Sequence, residues 1–178
     1  MPAGPFSISL EFAIRLCRAD DLPKLEWFGT FCHHREVIRQ TFERQIAGDV
    51  LMFVADARGF PVAQAWIDFR PDSRTAYPTL WAVRVMEPLQ GLGIGGRLMS
   101  AAEQAARRRG HRGLSLNVER SNLRARAFYE SRGWRVVGDR RGSFLYTTPE
   151  GRTVVEPLDE FAMEKPLDRP KHSIPRRA

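Results

Sequence analysis

Gln90-Gly91-Leu92-Gly93-Ile94-Gly95-Gly96 stands between two runs of different periodicity, and its reading decides the fold. Before it, Thr79–Val85 is rich in β-branched and apolar residues and predicts a strand. Behind it, Arg97–Arg109 sets Leu98, Met99, Ala102, Ala105 and Ala106 on one side of a helix. Glu103 and Arg107 are spaced for an i,i+4 pair there, and Gly110 supplies the stop. A glycine-rich turn that follows a strand and opens a helix gathers unpaired amide N–H groups at the positive end of a helix dipole. Glycine also lets an anion approach the backbone closely. The geometry suits a diphosphate better than a single carboxylate.

Two other phosphate-binding patterns fit less well. A nucleotide-triphosphatase loop ends in Gly-Lys-Ser/Thr, whereas Gly96 is followed here by Arg97 and Leu98. A dinucleotide fingerprint places an acidic residue at the end of the next strand, where this chain has Asn117 and Val118. A purely structural glycine turn stays open on this segment alone.

Downstream, Leu114–Val118 reads as a short strand, and Ser121 or Asn122 can cap a helix running to about Arg132, with Gly133 as its stop. Trp134–Tyr146 and Val154–Glu164 read as two further strands around a Pro-Glu-Gly loop. Upstream, Phe12–Arg18 predicts a first strand. Asp20 and Asp21 then offer N-cap oxygens to a helix with Pro23 in its first turn and Leu22, Leu25 and Phe28 on one side. Glu36–Ala47 predicts a second helix, with Val37, Ile38, Phe42 and Ile46 at helical spacing. Val50–Ala55 and Val62–Phe69 form a hairpin. This alternation predicts a mixed α/β sheet with helices on its faces. With no repeat and no linker, one domain is expected over residues 12–167, followed by a loose basic tail over residues 168–178.

The chain has 178 residues and a formal net charge of +7. Arginine carries the excess, with Arg107, Arg108, Arg109 and Arg112 followed by Arg120, Arg124, Arg126 and Arg132. A solvated face and a positive rim for a ligand with several phosphates both explain it. Interleaved aromatics and a reading motif for nucleic acid are lacking, so no nucleic-acid partner is expected. No apolar run reaches bilayer length, and Met1–Phe12 lacks the basic start of a secretory signal. Cys17 and Cys32 have neither metal nor redox spacing and read as small buried hydrophobes in a reducing compartment. These features predict a cytoplasmic protein without membrane attachment. Adjacent His33 and His34 point differently on any regular element, so no metal site is expected from them.

On these residues the chain resembles the GNAT superfamily of acyl-coenzyme A-dependent N-acyltransferases. The family's phosphate motif, Gln/Arg-x-x-Gly-x-Gly/Ala, is matched by Gln90, Gly93 and Gly95. A second motif follows as Asn122, Ala125, Tyr129 and Gly133-Trp134, and Phe161–Leu167 looks like the family's last strand. The resemblance implies a mostly antiparallel central sheet with one splayed parallel pair, Thr79–Val85 and Leu114–Val118, and helices on both faces. It implies acetyl-coenzyme A as cosubstrate, with the pantetheine arm along Val83 and Val85 and the diphosphate on the backbone of Gln90, Gly91, Leu92, Gly93, Ile94, Gly95 and Gly96. Asn122 and Phe128 then lie beside the coenzyme, Asn122 as a helix cap, a coenzyme contact, or both. Tyr129 matches the position of the acid that protonates the departing thiolate.

The implied activity is direct acetyl transfer in a ternary complex to a primary amine of a small molecule or peptide; a homodimer is compatible with it. The alternative is a coenzyme A-binding domain that has lost catalysis and serves as a regulator. Members that modify a ribosomal-protein N-terminus carry a glutamate five positions before the motif asparagine, where this chain has Asn117. Glu119, Asp68 and Asp72 are the remaining carboxylates for a general base, each also readable as a solvated surface group; a water relay needs none of them. His33, His34, Trp27, Trp66 and Trp81 are candidates for the acceptor side, with core packing the competing reading for the tryptophans.

Overall fold

The computed structural model describes residues 9–70, 75–148 and 151–167. Asp72, the tail over residues 168–178 and most of the Pro-Glu-Gly loop lie outside them. Seven strands form one sheet: β1 Ala13–Leu16, β2 Val50–Ala57, β3 Phe60–Asp68, β4 Thr79–Val85, β5 Gly113–Glu119, β6 Arg135–Thr147 and β7 Thr153–Pro166. Their spatial order is β1-β2-β3-β4-β5-β7-β6. Every neighbouring pair is antiparallel except β4 and β5, which are parallel. The mixed, mostly antiparallel sheet with one parallel pair is therefore as expected.

Three α-helices flank it: α1 Arg35–Ile46, α2 Ile94–Arg108 and α3 Leu123–Glu130. One apolar cluster lies under α2 and α3 and includes Leu80, Ile94, Leu98, Met99, Leu116 and Trp134. A smaller one, with Leu25, Ile38, Met52 and Trp66, lies on the α1 side. Alternate residues of β3 supply them: Ala63, Ala65 and Ile67 go to the first and Trp66 to the second. That is why β3, at the sheet's centre, is apolar through nearly its whole length. Lys165 on β7 ties the sheet to α2 through Glu103 at 2.6 Å, whereas the expected i,i+4 partner Arg107 stands 3.7 Å from that carboxylate.

The structure departs from the sequence reading at two helix starts. α2 begins at Ile94, not Arg97, because Gly93 takes the left-handed conformation (φ 79°) as N-cap and Gly95 and Gly96 enter the first turn. Ala19–Glu26 is a 3-10 segment whose N-cap is Arg18, so neither Asp20 nor Asp21 is the cap. Phe28 lies beyond that segment, left-handed (φ 57°) and exposed, instead of on its inner side. Ile46 of α1 is exposed as well.

Asp21 has a different task. Its buried carboxylate accepts two bonds from Arg15, at 2.6 and 2.9 Å, and one from the Arg18 amide at 2.8 Å. Arg15 also reaches Asp56 on β2 at 3.0 Å, so the carboxylate joins the 3-10 segment to the sheet edge. Burial alone would raise the Asp21 carboxyl, but the bonds from Arg15 and Arg18 outweigh it and hold the group below its ordinary value. A depressed folded value contributes stability that is complete above the unfolded carboxyl value, about 3.9, and is lost as pH falls through the folded one. Asp21→Asn is expected to lower stability at pH 7 by about 2 kcal/mol in urea titration, with the gap to wild type closing in acid. An equal gap at pH 7 and pH 2 would contradict this account.

Candidate acyl-transfer site

β4 and β5 share a single paired position, Thr79 with Ser115. At that end the strands are fastened: the Ser115 amide donates to Pro78 O at 2.9 Å, and the Thr79 and Ser115 hydroxyls meet at 3.1 Å. Tyr77 packs so tightly over Gly113 that a Cβ there would lie 2.6 Å from its ring. Beyond Thr79 the strands part. β5 is paired along its full length with β7, from Gly113–Pro166 to Glu119–Glu160. β4 stays with β3 but bulges: the register shifts between Gln64 and Trp66, and Ala82 takes φ 51°. A bulge bends and twists its strand, so it carries β4 away from β5.

The gap opens into a cleft of about 1210 Å³, lined on the two strands by Thr79–Arg84 and Leu116–Glu119. Asn122, Ala125 and Tyr129 form its wall on the α3 side. His34, Trp66 and Arg84 line it towards α1, and Arg140, Phe144 and Glu160 line it from the β6–β7 hairpin.

The glycine turn closes one end of β4. Gln90 Nε2 donates to Val85 O at 3.0 Å and its amide donates to Glu87 O, so Gln90 fastens the turn to the strand. The first bond of α2 runs from the Arg97 amide to Gly93 O, which leaves the Ile94, Gly95 and Gly96 amides ahead of the helical ladder. Gly93 brings no side-chain cap to them. Ile94 is buried in the core, so its backbone alone faces the turn, while Gly91 (φ 85°) and exposed Leu92 shape the approach. Val85 and Phe128 approach Gly95, each 3.5 Å from where its Cβ would be. The Arg132 guanidinium occupies the space a Cβ on Gly96 would need. A second hollow of about 370 Å³ lies here, between Gly93, Gly96, Arg97, Ser100 and Arg132.

Much of the remaining arginine is already engaged. Arg120 pairs with Asp159 at 2.9 Å and with Asp139, Arg126 pairs with Glu130 at 2.8 Å, and both lie over Phe161. The two readings of the basic excess thus divide by position: a salt-bridged face for these, and a cationic rim at the glycine turn for Arg97 and Arg132.

Asn122 does cap α3, accepting from the Ala125 amide at 3.0 Å. Tyr129, one turn further, is 7% exposed and forms part of the cleft wall; burial pushes its phenol up to about 12. Glu119 reaches the cleft, and so does Asn117. Asp68 also lines it but is held by Arg44 at 2.5 Å and faces Arg70 at 3.6 Å. His34 lines the cleft, and burial, then Arg84 and His33, lower its imidazole to about 4. Trp66 and Trp81 meet edge to face at 4.8 Å and both line the cleft. Trp27 does not: it is buried, with Nε1 donating to Pro61 O at 2.9 Å.

Glu160 escaped the sequence reading. Antiparallel pairing sets it opposite both Glu119 on β5 and Arg140 on β6. Burial raises its carboxyl, Arg140 at 3.4 Å lowers it, and Glu119 raises it again, with a net shift upward. No local signal marks it, because its environment is made by strands distant in sequence. Among the described residues no group of three or more His, Cys, Asp or Glu could hold a metal, and no helix is long and apolar enough to cross a membrane.

Comparison with known proteins gives this geometry a family. The chain is similar to the ribosomal-protein-S18-alanine N-acetyltransferase of Escherichia coli, with 24% identity and a TM-score of 0.66 over 92% of this chain and 99% of that one. It is similar to the PaiA N-acetyltransferase of Thermoplasma acidophilum solved with coenzyme A, with 19% identity and a TM-score of 0.67 over 89% and 99% of the two chains. In sequence, it is 36% identical over 73 residues to a 5-NmdU N-acetyltransferase of Pseudomonas phage PaMx11. That match takes in 41% of this chain and spans half the length of the phage relative. The acetyltransferase (GNAT) family profile matches residues 14–134, and the chain belongs to that family.

Proposed function

We propose that this protein transfers acetyl from acetyl-coenzyme A to a primary amine, directly and within a ternary complex. The observation that carries the reading is the parting of β4 from β5 beside a helix start with free amides, with a buried phenol in the gap. Unpaired strand backbone is costly unless something binds it, and an extended amide-bearing arm can add to it as a strand does. The coenzyme supplies an activated acetyl thioester. Val83 and Val85 offer the strand backbone to its arm, and the Ile94, Gly95 and Gly96 amides suit its diphosphate. Arg97 and Arg132 flank the hollow next to that turn and suit its remaining phosphate.

Within the cleft, Tyr129 donates its phenolic proton to the sulfur as the carbon–sulfur bond breaks and the new carbon–nitrogen bond forms. A phenol raised to about 12 stays protonated across the working range. Glu160 takes the proton that the amine loses. Its raised value keeps it basic enough to accept one, and Arg140 holds it in place. Asp68 is already neutralised by arginine, and Asn117 cannot accept a proton, which leaves Glu119 as the neighbour that tunes Glu160. The acetyl oxygen is polarised by backbone N–H of β4 at its bulge.

Tyr129→Phe is expected to lower kcat about 100-fold or more, with acetyl-coenzyme A affinity and melting temperature nearly unchanged. Normal turnover in that variant would remove the phenol from the mechanism, and coenzyme binding without any turnover by wild type would favour the regulatory alternative. A base must be ionised to act, so kcat/KM should fall as pH drops through the raised Glu160 value; Glu160→Gln should lose that acid limb together with most of the rate. An acid limb that survives the substitution would assign the base elsewhere. Asn122→Ala should cost about 1 kcal/mol by loss of the α3 cap. Asn122→Ser should regain that stability while the KM for acetyl-coenzyme A stays raised; full recovery of both would reduce Asn122 to a cap.

A further inference from the structure

Acetyl transfer as proposed leaves the most buried donors of the cleft's α1 side without a task. Arg84 lines that side with its guanidinium 4.2 Å from the Phe31 ring centroid. Burial lowers its pKa, and no carboxylate pairs with it among the described residues. The other wall arginines are occupied, Arg70 facing Asp68 at 3.6 Å and Arg140 facing Glu160 at 3.4 Å. Trp66, 1% exposed, lines the same cleft, and its Nε1–H has no acceptor. Gln64, the register partner of Arg84, is fully buried with both amide atoms unpartnered. A buried donor left unmatched costs about 1–3 kcal/mol, and more when it is charged. A guanidinium can only donate, and one that lines a cleft without a carboxylate partner matches an oxyanion.

We propose that the acceptor is an amine that also carries an anionic oxygen group, a carboxylate or a phosphate, held by the Arg84 guanidinium. The inference rests on the acetyl-transfer reading and deepens it. Glu119 and Glu160 then face the amine end while Arg84 takes the anionic end, so the charge pattern of the cleft fits a dipolar acceptor. A purely cationic polyamine would meet Arg84 as a like charge and leave its desolvation uncompensated.

The test measures coenzyme A release by the 178-residue chain with amine pairs that differ in bearing the anion, each kcat/KM expressed per unprotonated amine. Glycine is compared with glycinamide, and O-phosphoethanolamine with ethanolamine. At least one anionic member should show a kcat/KM tenfold or more above its uncharged partner, and the pair that discriminates more tells carboxylate from phosphate. In Arg84→Gln that ratio should collapse by about tenfold to a hundredfold, with partial recovery in Arg84→Lys. Thermal melts of both variants show whether the fold persists, and the lysine variant keeps the test valid if the glutamine variant unfolds. Equal kcat/KM within both pairs, preference for spermidine over every anionic amine, or a ratio untouched by Arg84→Gln overturns the proposal. Acetyl-coenzyme A binding without turnover of any of these amines also overturns it. Failure of acetyl-coenzyme A itself to raise the melting temperature sinks the underlying acetyl-transfer reading, and is read separately.

Discussion

One parallel strand contact, made and then abandoned, governs everything built around it. Thr79 and Ser115 bring β4 and β5 together, and Tyr77 over Gly113 fixes that end. Each strand then follows a stronger attachment. β5 has a continuous antiparallel ladder with β7, and β4 keeps β3 by accepting a bulge. The sheet is stable through those outer pairings, so a gap in its middle costs only the backbone groups that face it. A closed sheet would have left no passage between the α2–α3 face and the α1 face. In the proposed reaction that gap is where the two substrates meet.

The chemistry follows from what lines that passage. Tyr129 sits on α3, whose start is fixed by the Asn122 cap and whose end turns at Gly133 so that Trp134 packs beneath it. The phenol is thus held by a short helix and not by a loop, which fixes its place in the cleft wall. On the opposite wall, cross-strand pairing places Glu119 and Glu160 side by side. Burial and a like charge both work against ionising Glu160, while Arg140 limits the shift. Burial keeps the Tyr129 phenol protonated, and burial with a neighbouring carboxylate raises Glu160, so position alone sets how readily each gives or takes a proton.

How much of this was legible in the sequence depended on whether the signal was local. The glycine turn, the strand before it and the capped helix carrying Tyr129 are contiguous patterns, and their residues stand where periodicity and capping chemistry put them. The start of α2 shifted because two glycines, poor helix formers, were absorbed into its first turn. Asp21 was misjudged because a carboxylate beside a proline looks like a cap until Arg15, brought close by the strand before it, claims it. Glu160 and Arg84 were invisible for a deeper reason. Glu160 meets Glu119 through the non-consecutive pair β5–β7, and Arg84 meets Phe31 from a segment before α1, neither of which a local sequence pattern encodes.

The same distinction separates the proposed donor side of the cleft, built largely from backbone, from the proposed acceptor side, built from side chains. In the proposed complex the coenzyme meets mainly backbone, through a strand edge and a helix start, with glycine needed where the chain is left-handed or crowded. The proposed acceptor side is lined by side chains instead: Arg84, Trp66, His34, Arg140 and Glu160, contributed by four strands and the segment before α1. Arg84, His34, Arg140 and Glu160 are only partly buried and can change without opening the core, whereas Trp66 is packed into it. A wall assembled from separately replaceable groups is where specificity can vary at little cost to folding. The half-buried Arg84 guanidinium, over the Phe31 ring and without a carboxylate partner among the described residues, is the side chain on which the proposed acceptor preference rests.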